Sequence, residues 1–342
     1  MSTWKQLKDN PYLKELYSKR IDILRLIREF FWNEGFLETD TPIAVCPPSQ
    51  EPYLNPMPIV FHNPDGVGYK FHLRTSPEFA LKKILATGFE KVFEIAKVFR
   101  DCEEFGKTHN PEFTMIEWYR APGTLENIMD DTENLFKFIG QRLDKKSVQW
   151  KNADILINEA WDRKSMRQIW QEFLNVNLDE YLTVETMREL CKKLGYDLDG
   201  AYEDLFYKVF LNKIEPFLGM KKPIFIYDYP ATMCSLSRPA ADSRYALRFE
   251  LYIGGLELAN AFGELTDAEK QKENLEADSK KRQELGKEVF PVDTEFIAAL
   301  QSGIPQAGGI ALGVDRLVML FTGAKDINEV IFQSAADMVE EK

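Results

Sequence analysis

Apolar and polar side chains alternate through VFEIAKVFR at 92–100 and again through the run ending in MIEWY at 119. A period of two puts successive side chains on opposite faces of a strand, so this segment predicts two β-strands joined by a long polar loop. Arg100 closes the first strand, and Glu117 and Tyr119 lie on one face of the second. The loop carries acids, a glycine, a histidine and an asparagine between firm strands, which suits the handling of a phosphate-bearing ligand. A different period governs 13–34, where Ile23, Ile27, Phe30 and Phe31 form one stripe of an amphipathic helix that stops at Gly35. Residues 36–42 are extended up to a proline, and CPPSQEP at 46–52 reads as a surface connection. A short strand near 69–73 leads into TSPEFALKKILATG, with Ser76 and Pro77 at a helix N-terminus and Gly88 at its end.

From 121 to 222 the pattern is mostly helical, carries no chemical motif, and reads as a packing insert. Strands resume at 223–229 and from 245, and a charged helix covers roughly 267–285. The segment GGIALGVDRLVMLF then reads as a strand entering a helix. Strand pairs interrupted by helices, without regular βαβ alternation, predict an α+β fold on an antiparallel sheet, one domain over 1–342.

Composition narrows the function classes. With 43 Lys and Arg against 55 Asp and Glu, the net charge is -12, a poor balance for gripping nucleic acid through broad electrostatics. Cys46, Cys102, Cys191 and Cys234 show no CxxC spacing and have no histidine nearby, which argues against zinc and against a cysteine nucleophile. With no signal peptide and no long apolar run, they read as reduced cysteines of a cytoplasmic protein.

The candidate chemistry begins at 244–265, RYALRFELYIGGLELANAFGEL, where Gly254-Gly255 between alternating runs is a two-residue hairpin signal. That turn pairs Tyr252 with Glu257 and Glu250 with Ala259, leaving Glu250 and Glu257 as diagonal neighbours on one face. Two carboxylates with no basic residue between them need a cation, and oxygen ligands with a phosphate substrate make it Mg²⁺. The same alternation turns Asn260, Phe262 and Glu264 to the opposite face. A single site using both sets therefore requires a bulge near Leu258–Ala259. Glu78, Glu117 and Glu264 come from three elements with apolar neighbours. If they converge, their ligand should carry more than one ammonium group, with Tyr119 adding a hydrogen bond. His109 fits a base, a phosphate contact or a loop histidine; Phe113 fits core or a purine-stacking face. Arg316, just past the glycines, fits a phosphate clamp or a surface cap.

FRDCEEFGKTHNPEFTMIEWY resembles the second signature motif of class II aminoacyl-tRNA synthetases in its lysyl form. GGIALGVDRLVML resembles the third, 21–42 resembles the first, which builds a homodimer interface, and FELYIGGLELANAFGEL resembles the metal- and lysine-binding strands. The first motif begins about twenty residues in, where lysyl-tRNA synthetases have an anticodon-binding barrel. In that and in its TSPEF, HNPEFTMIEWYR and ALGVDRLVML wording the chain resembles the elongation factor P–(R)-β-lysine ligase group. The resemblance implies an ATP-dependent ligase that adenylates β-lysine and transfers it to a lysine of elongation factor P, with tRNA charging by a minimal enzyme as the alternative. It implies catalytic roles for Arg100 at the α-phosphate and Arg316 at the γ-phosphate, with Glu103, His109, Asn110, Phe113, Glu257, Leu258 and Gly313 around ATP and Glu250 and Glu257 on Mg²⁺. Ser76, Glu78, Glu117, Tyr119, Asn260, Phe262, Glu264 and Ala311 would surround the diamino acid. Ala311 stands where lysyl-tRNA synthetases have glycine, and Ala261 departs likewise from the usual glycine. The loop before His109 is one residue longer than the family pattern, which makes Glu103, with Glu104 beside it, the acid toward ATP.

Overall fold

The computed structural model describes residues 3–151 and 153–339. Its main sheet is built from β1 (Leu37–Glu38), β2 (Lys91–Phe99), β3 (Glu112–Arg120), β4 (Asp162–Ser165), β5 (Ile224–Pro230), β6 (Tyr245–Ile253), β7 (Leu256–Gly263) and β8 (Gly308–Gly313). They lie in the order β1-β2-β3-β8-β7-β6-β5-β4. The two edge strands pair in parallel and every pairing between them is antiparallel. This is the α+β, antiparallel architecture that the strand pattern implies.

One face of the sheet is sealed by helices. The helix Pro11–Asn33 starts on an Asn10 cap, whose side chain accepts from the Tyr12 amide at 3.0 Å, and has proline at its first turn. Its stripe of Leu16, Ile23, Ile27, Phe30 and Phe31 packs with Phe93, Trp118 and Ile310 of the sheet. The helices Leu125–Arg142 and Val314–Thr322 complete that core. The opposite face carries Glu117 and Tyr119 on β3 and Ala311 on β8, and there the cavities lie. A second core joins the helices Met166–Leu174, Val184–Lys193 and Tyr202–Lys213 to Ile224 and Tyr229 of β5 and Tyr245 and Tyr252 of β6.

Two elements differ from the pattern reading. Within 121–222, the helix Leu125–Arg142 belongs to the main core, and the charged Asp162–Ser165 adds an edge strand. An edge strand presents little apolar alternation, because one side of its ladder faces solvent. Secondly, CPPSQEP at 46–52 is more than a surface connection. Gln50 is 1 % exposed and donates from Nε2 to the Phe290 carbonyl at 3.0 Å, anchoring the loop over the sheet.

The predicted bulge is present. Gly254 and Gly255, both at positive φ (63° and 72°), make the hairpin turn, and Tyr252 opposes Glu257. The register then shifts: Leu251 opposes Ala259 and Glu250 opposes Asn260 rather than Ala259, leaving Leu258 as the extra residue. The regular pairing of Glu250 with Ala259 is thereby corrected, and Glu250, Glu257, Asn260, Phe262 and Glu264 share one face.

Candidate active site

Two cavities on the open face meet at Arg100, which lines both, as do Glu51, Met115, Asn260 and Ala311. The larger, of about 300 Å³, is also lined by Glu103, His109, Asn110, Phe113, Glu257, Leu258, Gly313 and Arg316. The smaller, of about 60 Å³, is lined by Ser76, Glu78, Glu117, Tyr119, Phe262 and Glu264. The two groups of residues expected around a nucleotide and around a diamino acid thus come together as adjoining compartments. Glu250 is the one expected site residue that lines neither.

Cations are poised in the larger compartment. The Arg100 guanidinium lies 5.1 Å from the Phe113 ring, and its Nε is buried without a hydrogen-bond partner among the described residues. Phe113 is at once a stacking surface and a neighbour of the small cluster Ala96, Val98 and Met115. Arg316 is held by three acceptors: the Glu257 carbonyl at 2.7 Å, the Thr108 carbonyl at 3.2 Å and His109 Nε2 at 2.9 Å. An arginine only donates, so His109 Nε2 accepts. Burial, and then the Arg316 charge, hold the imidazole below its usual range, hence neutral. His109 positions Arg316, and the general-base reading falls because its basic nitrogen is occupied.

Asn110 lines the larger cavity as expected, with its amide engaged at both ends. Its Nδ2 donates to the Glu112 carbonyl at 2.5 Å and its Oδ1 accepts from the Ala335 amide at 2.9 Å, so both ends hold the loop. The loop tip is closed by reciprocal backbone bonds between Gly106 and His109, of 3.0 and 3.1 Å. Upstream, Cys102 takes a left-handed φ of 64°, and Glu103, not Glu104, reaches the cavity.

The smaller compartment is acidic. Glu117, 1 % exposed, accepts from Ser76 Oγ at 2.7 Å and from the Tyr119 hydroxyl at 2.9 Å. Burial, then Glu78, push its carboxyl up to about 8. Glu264 is pushed up to about 7, chiefly by burial, and so is Glu51, partly open to the cavity. Glu78, Glu117 and Glu264 converge as expected, but they do not wait for a ligand alone. Lys82 Nζ lies 2.5 Å from Glu78 and 2.6 Å from Glu264. When ionised, the four carboxylates Glu51, Glu78, Glu117 and Glu264 outnumber the cations Lys82 and Arg100 that face them, an imbalance suited to a ligand bearing ammonium groups.

The carboxylate pair expected to bind metal needs revision. Arg248, two residues before Glu250 on the same face, donates to Glu250 Oε1 at 2.5 Å; Tyr229, at 2.6 Å, and Tyr252 donate to Oε2. A basic residue does stand beside the pair, because Arg248 shares the strand face. Glu257 is different: its carboxylate has no hydrogen bond or ion pair among the described residues and lines the larger cavity, raised to about 7 by burial and then by Glu250. Among the described residues no group of three or more His, Cys, Asp or Glu is arranged for a metal. Glu257 is therefore the carboxylate here that would hold a cation, whereas Glu250, as held here, does not fit as the second ligand.

Pattern reasoning missed Glu51, Lys82, Arg248 and Gly309. Lys82 is four residues after Glu78 on a helix, and Arg248 two before Glu250 on a strand, so each stood in a readable spacing. Glu51 had no local signal. Gly309 lies where a Cβ would press into the Tyr119 ring and Glu264 Oε1.

An antiparallel sheet with one face sealed by helices, and an arginine-bearing hairpin loop beside a glycine-rich strand-to-helix turn on the other, defines a class II synthetase catalytic domain. Residues 3–335 match the tRNA synthetases class II (D, K and N), and the chain belongs to that family. Within it the chain groups with proteins named elongation factor P–(R)-β-lysine ligase. It is 36% identical to the one from Proteus mirabilis, across 92% of this chain and 93% of that protein. Identity is 37% to that of Pectobacterium atrosepticum over the same shares. To that of Klebsiella pneumoniae it is 36%, across 96% of this chain and 97% of that protein.

Proposed function

We propose that this chain uses ATP to convert (R)-β-lysine to its aminoacyl-adenylate and passes it to a lysine side chain of elongation factor P. The observation that carries this reading is the junction at Arg100: one guanidinium borders both a compartment suited to a nucleotide and an acidic one suited to two ammonium groups. The names and coverage of the relatives support the choice of acceptor.

In the first step a substrate carboxylate oxygen attacks the α-phosphorus and the bond to pyrophosphate breaks. The carboxylate is already an anion at neutral pH, so no base is needed. Arg100 stabilises charge on the α-phosphate, Phe113 stacks against the purine, and Arg316, aligned by His109, holds the departing phosphates. Glu257 would hold a Mg²⁺, which supplies charge neutralisation to the phosphates when bound. Ser76, Glu78, Glu117, Tyr119, Asn260, Phe262 and Glu264 orient the diamino acid, and the Ala311 methyl narrows the passage between compartments. In the second step the acceptor amine, having lost a proton, attacks the adenylate carbonyl; an amide forms and AMP leaves. We read 1–342 as one catalytic domain whose helical insert contributes packing. We read the enzyme as cytoplasmic and as a homodimer, the latter supported by the exposed Tyr12 and Trp32 beside and within the first motif.

Arg100→Ala should lower β-lysine-dependent ATP–pyrophosphate exchange by about 10²–10³-fold with the circular dichroism spectrum unchanged. Wild-type exchange in that variant sinks the assignment.

A further inference from the structure

Lys82 lies behind the acidic compartment rather than in it. It is 2 % exposed, on the helix Glu78–Leu85, with Nζ 6.0 Å from the Phe296 ring centre. Its two acids come from different elements, Glu78 from the start of its own helix and Glu264 from the residue after β7. A buried ammonium needs such partners: burial alone would lower its pKa, but Glu264 and Glu78 raise it, so the side chain stays charged. The oxygens are shared out. Lys82 lies against Oε1 of Glu78 and Oε2 of Glu264. Oε2 of Glu78 and Oε1 of Glu264 have no hydrogen-bond partner among the described residues, and both residues line the cavity. Glu264 Oε1 points at the space beside Gly309 and the Tyr119 ring, a position that only a missing Cβ leaves open.

We propose that Lys82 is a positioning residue for the diamino acid: an internal ammonium that takes one oxygen from each of two carboxylates and leaves the other pair aimed at a substrate ammonium. This rests on the reading that the substrate carries two amines. A salt bridge that merely stapled helix to sheet would leave substrate affinity alone when neutralised. Across the cavity the pair faces Glu117, Tyr119, Glu51 and Arg100, with Arg238 beside Glu264.

The test is Lys82→Met, which keeps length and removes charge. KM for β-lysine or α-lysine in pyrophosphate exchange should rise about thirtyfold at pH 7, the size of a lost charged hydrogen bond, with kcat within about threefold and KM for ATP unchanged. The penalty should shrink as pH rises toward about 8.5, because the pair then sheds the proton that replaced the lysine charge. An unchanged amino-acid KM, an equal rise for ATP, or a pH-independent penalty overturns the proposal. Should Lys82→Met not fold, Lys82→Met/Glu264→Gln leaves one buried carboxylate there instead of two. Its KM should then exceed that of Glu264→Gln alone by clearly less than about thirtyfold, since in that background Lys82 positions only Glu78; an undiminished rise of about thirtyfold, or none, overturns the proposal. Calorimetric binding of lysine, which needs no turnover, separates the two failures. A wild-type protein that binds no diamino acid sinks the functional reading, and undiminished binding by the variant sinks the role of Lys82.

Discussion

At Glu117 a carboxyl with two donors is nevertheless pushed up to about 8, because burial and Glu78 outweigh Ser76 and Tyr119. Glu51 and Glu264, each near 7, behave alike. A folded-state value raised above 4.5 means the folded chain binds protons that the unfolded chain has released. The stability they confer is full below about 4.5 and is lost as pH rises through 7 to 8. The melting temperature of the unliganded protein should therefore fall over that window. A diammonium ligand selects the ionised acids and expels their protons, so its affinity should climb from pH 6 to about 8. Calorimetry in buffers of different ionisation enthalpy reads the released protons; proton uptake would contradict the charge assignment. Gly309 makes the complementary point about space. Gly309→Ala should lower kcat/KM for the diamino acid by about 10²-fold through displacement of Tyr119 and Glu264, while ATP binding measured by calorimetry holds.

Among elements, the signature hairpin, the N-terminal helix and the double-glycine turn were legible because local periodicity and turn chemistry decide them. The bulge was legible for another reason: ligand-facing residues split between two faces have no other way to meet. The anchoring of 46–52 was not, since Gln50 is buried by the Phe290 carbonyl, 240 residues away. The pairing of Lys82 with Glu78 lay within one helix, but its second acid is supplied by the end of β7. Long-range polar contacts also tie the helices to the site. Arg20 on Pro11–Asn33 meets Asp315 at 2.5 Å and Thr114 at 3.0 Å, and Asp315 accepts from the Thr114 amide at 2.7 Å. Arg20→Met should cost about 3–5 kcal/mol in urea unfolding, because it leaves Asp315 buried and uncompensated. Asp315 precedes Arg316, so the KM for ATP should rise as well.

For the whole molecule, a charge of -12 disfavours a broad electrostatic hold on tRNA, whereas a protein acceptor needs none. Incubated with ATP and each lysine isomer, the enzyme should add one β-lysyl group to elongation factor P by intact mass and leave tRNA without acid-precipitable label. Sedimentation should give twice the chain mass of 39.6 kDa; a monomer at working concentration contradicts the homodimer. The surplus residue at Leu258 has a consequence for the history such a chain can have. Deleting it would invert the phase of everything after it, turning Asn260, Phe262 and Glu264 toward the helices and Ala259 and Ala261 toward the ligand. Substitutions can accumulate along this hairpin one by one, but single-residue gains and losses are closed to it. Length drift in such a chain is left to the loops, where no strand phase depends on it.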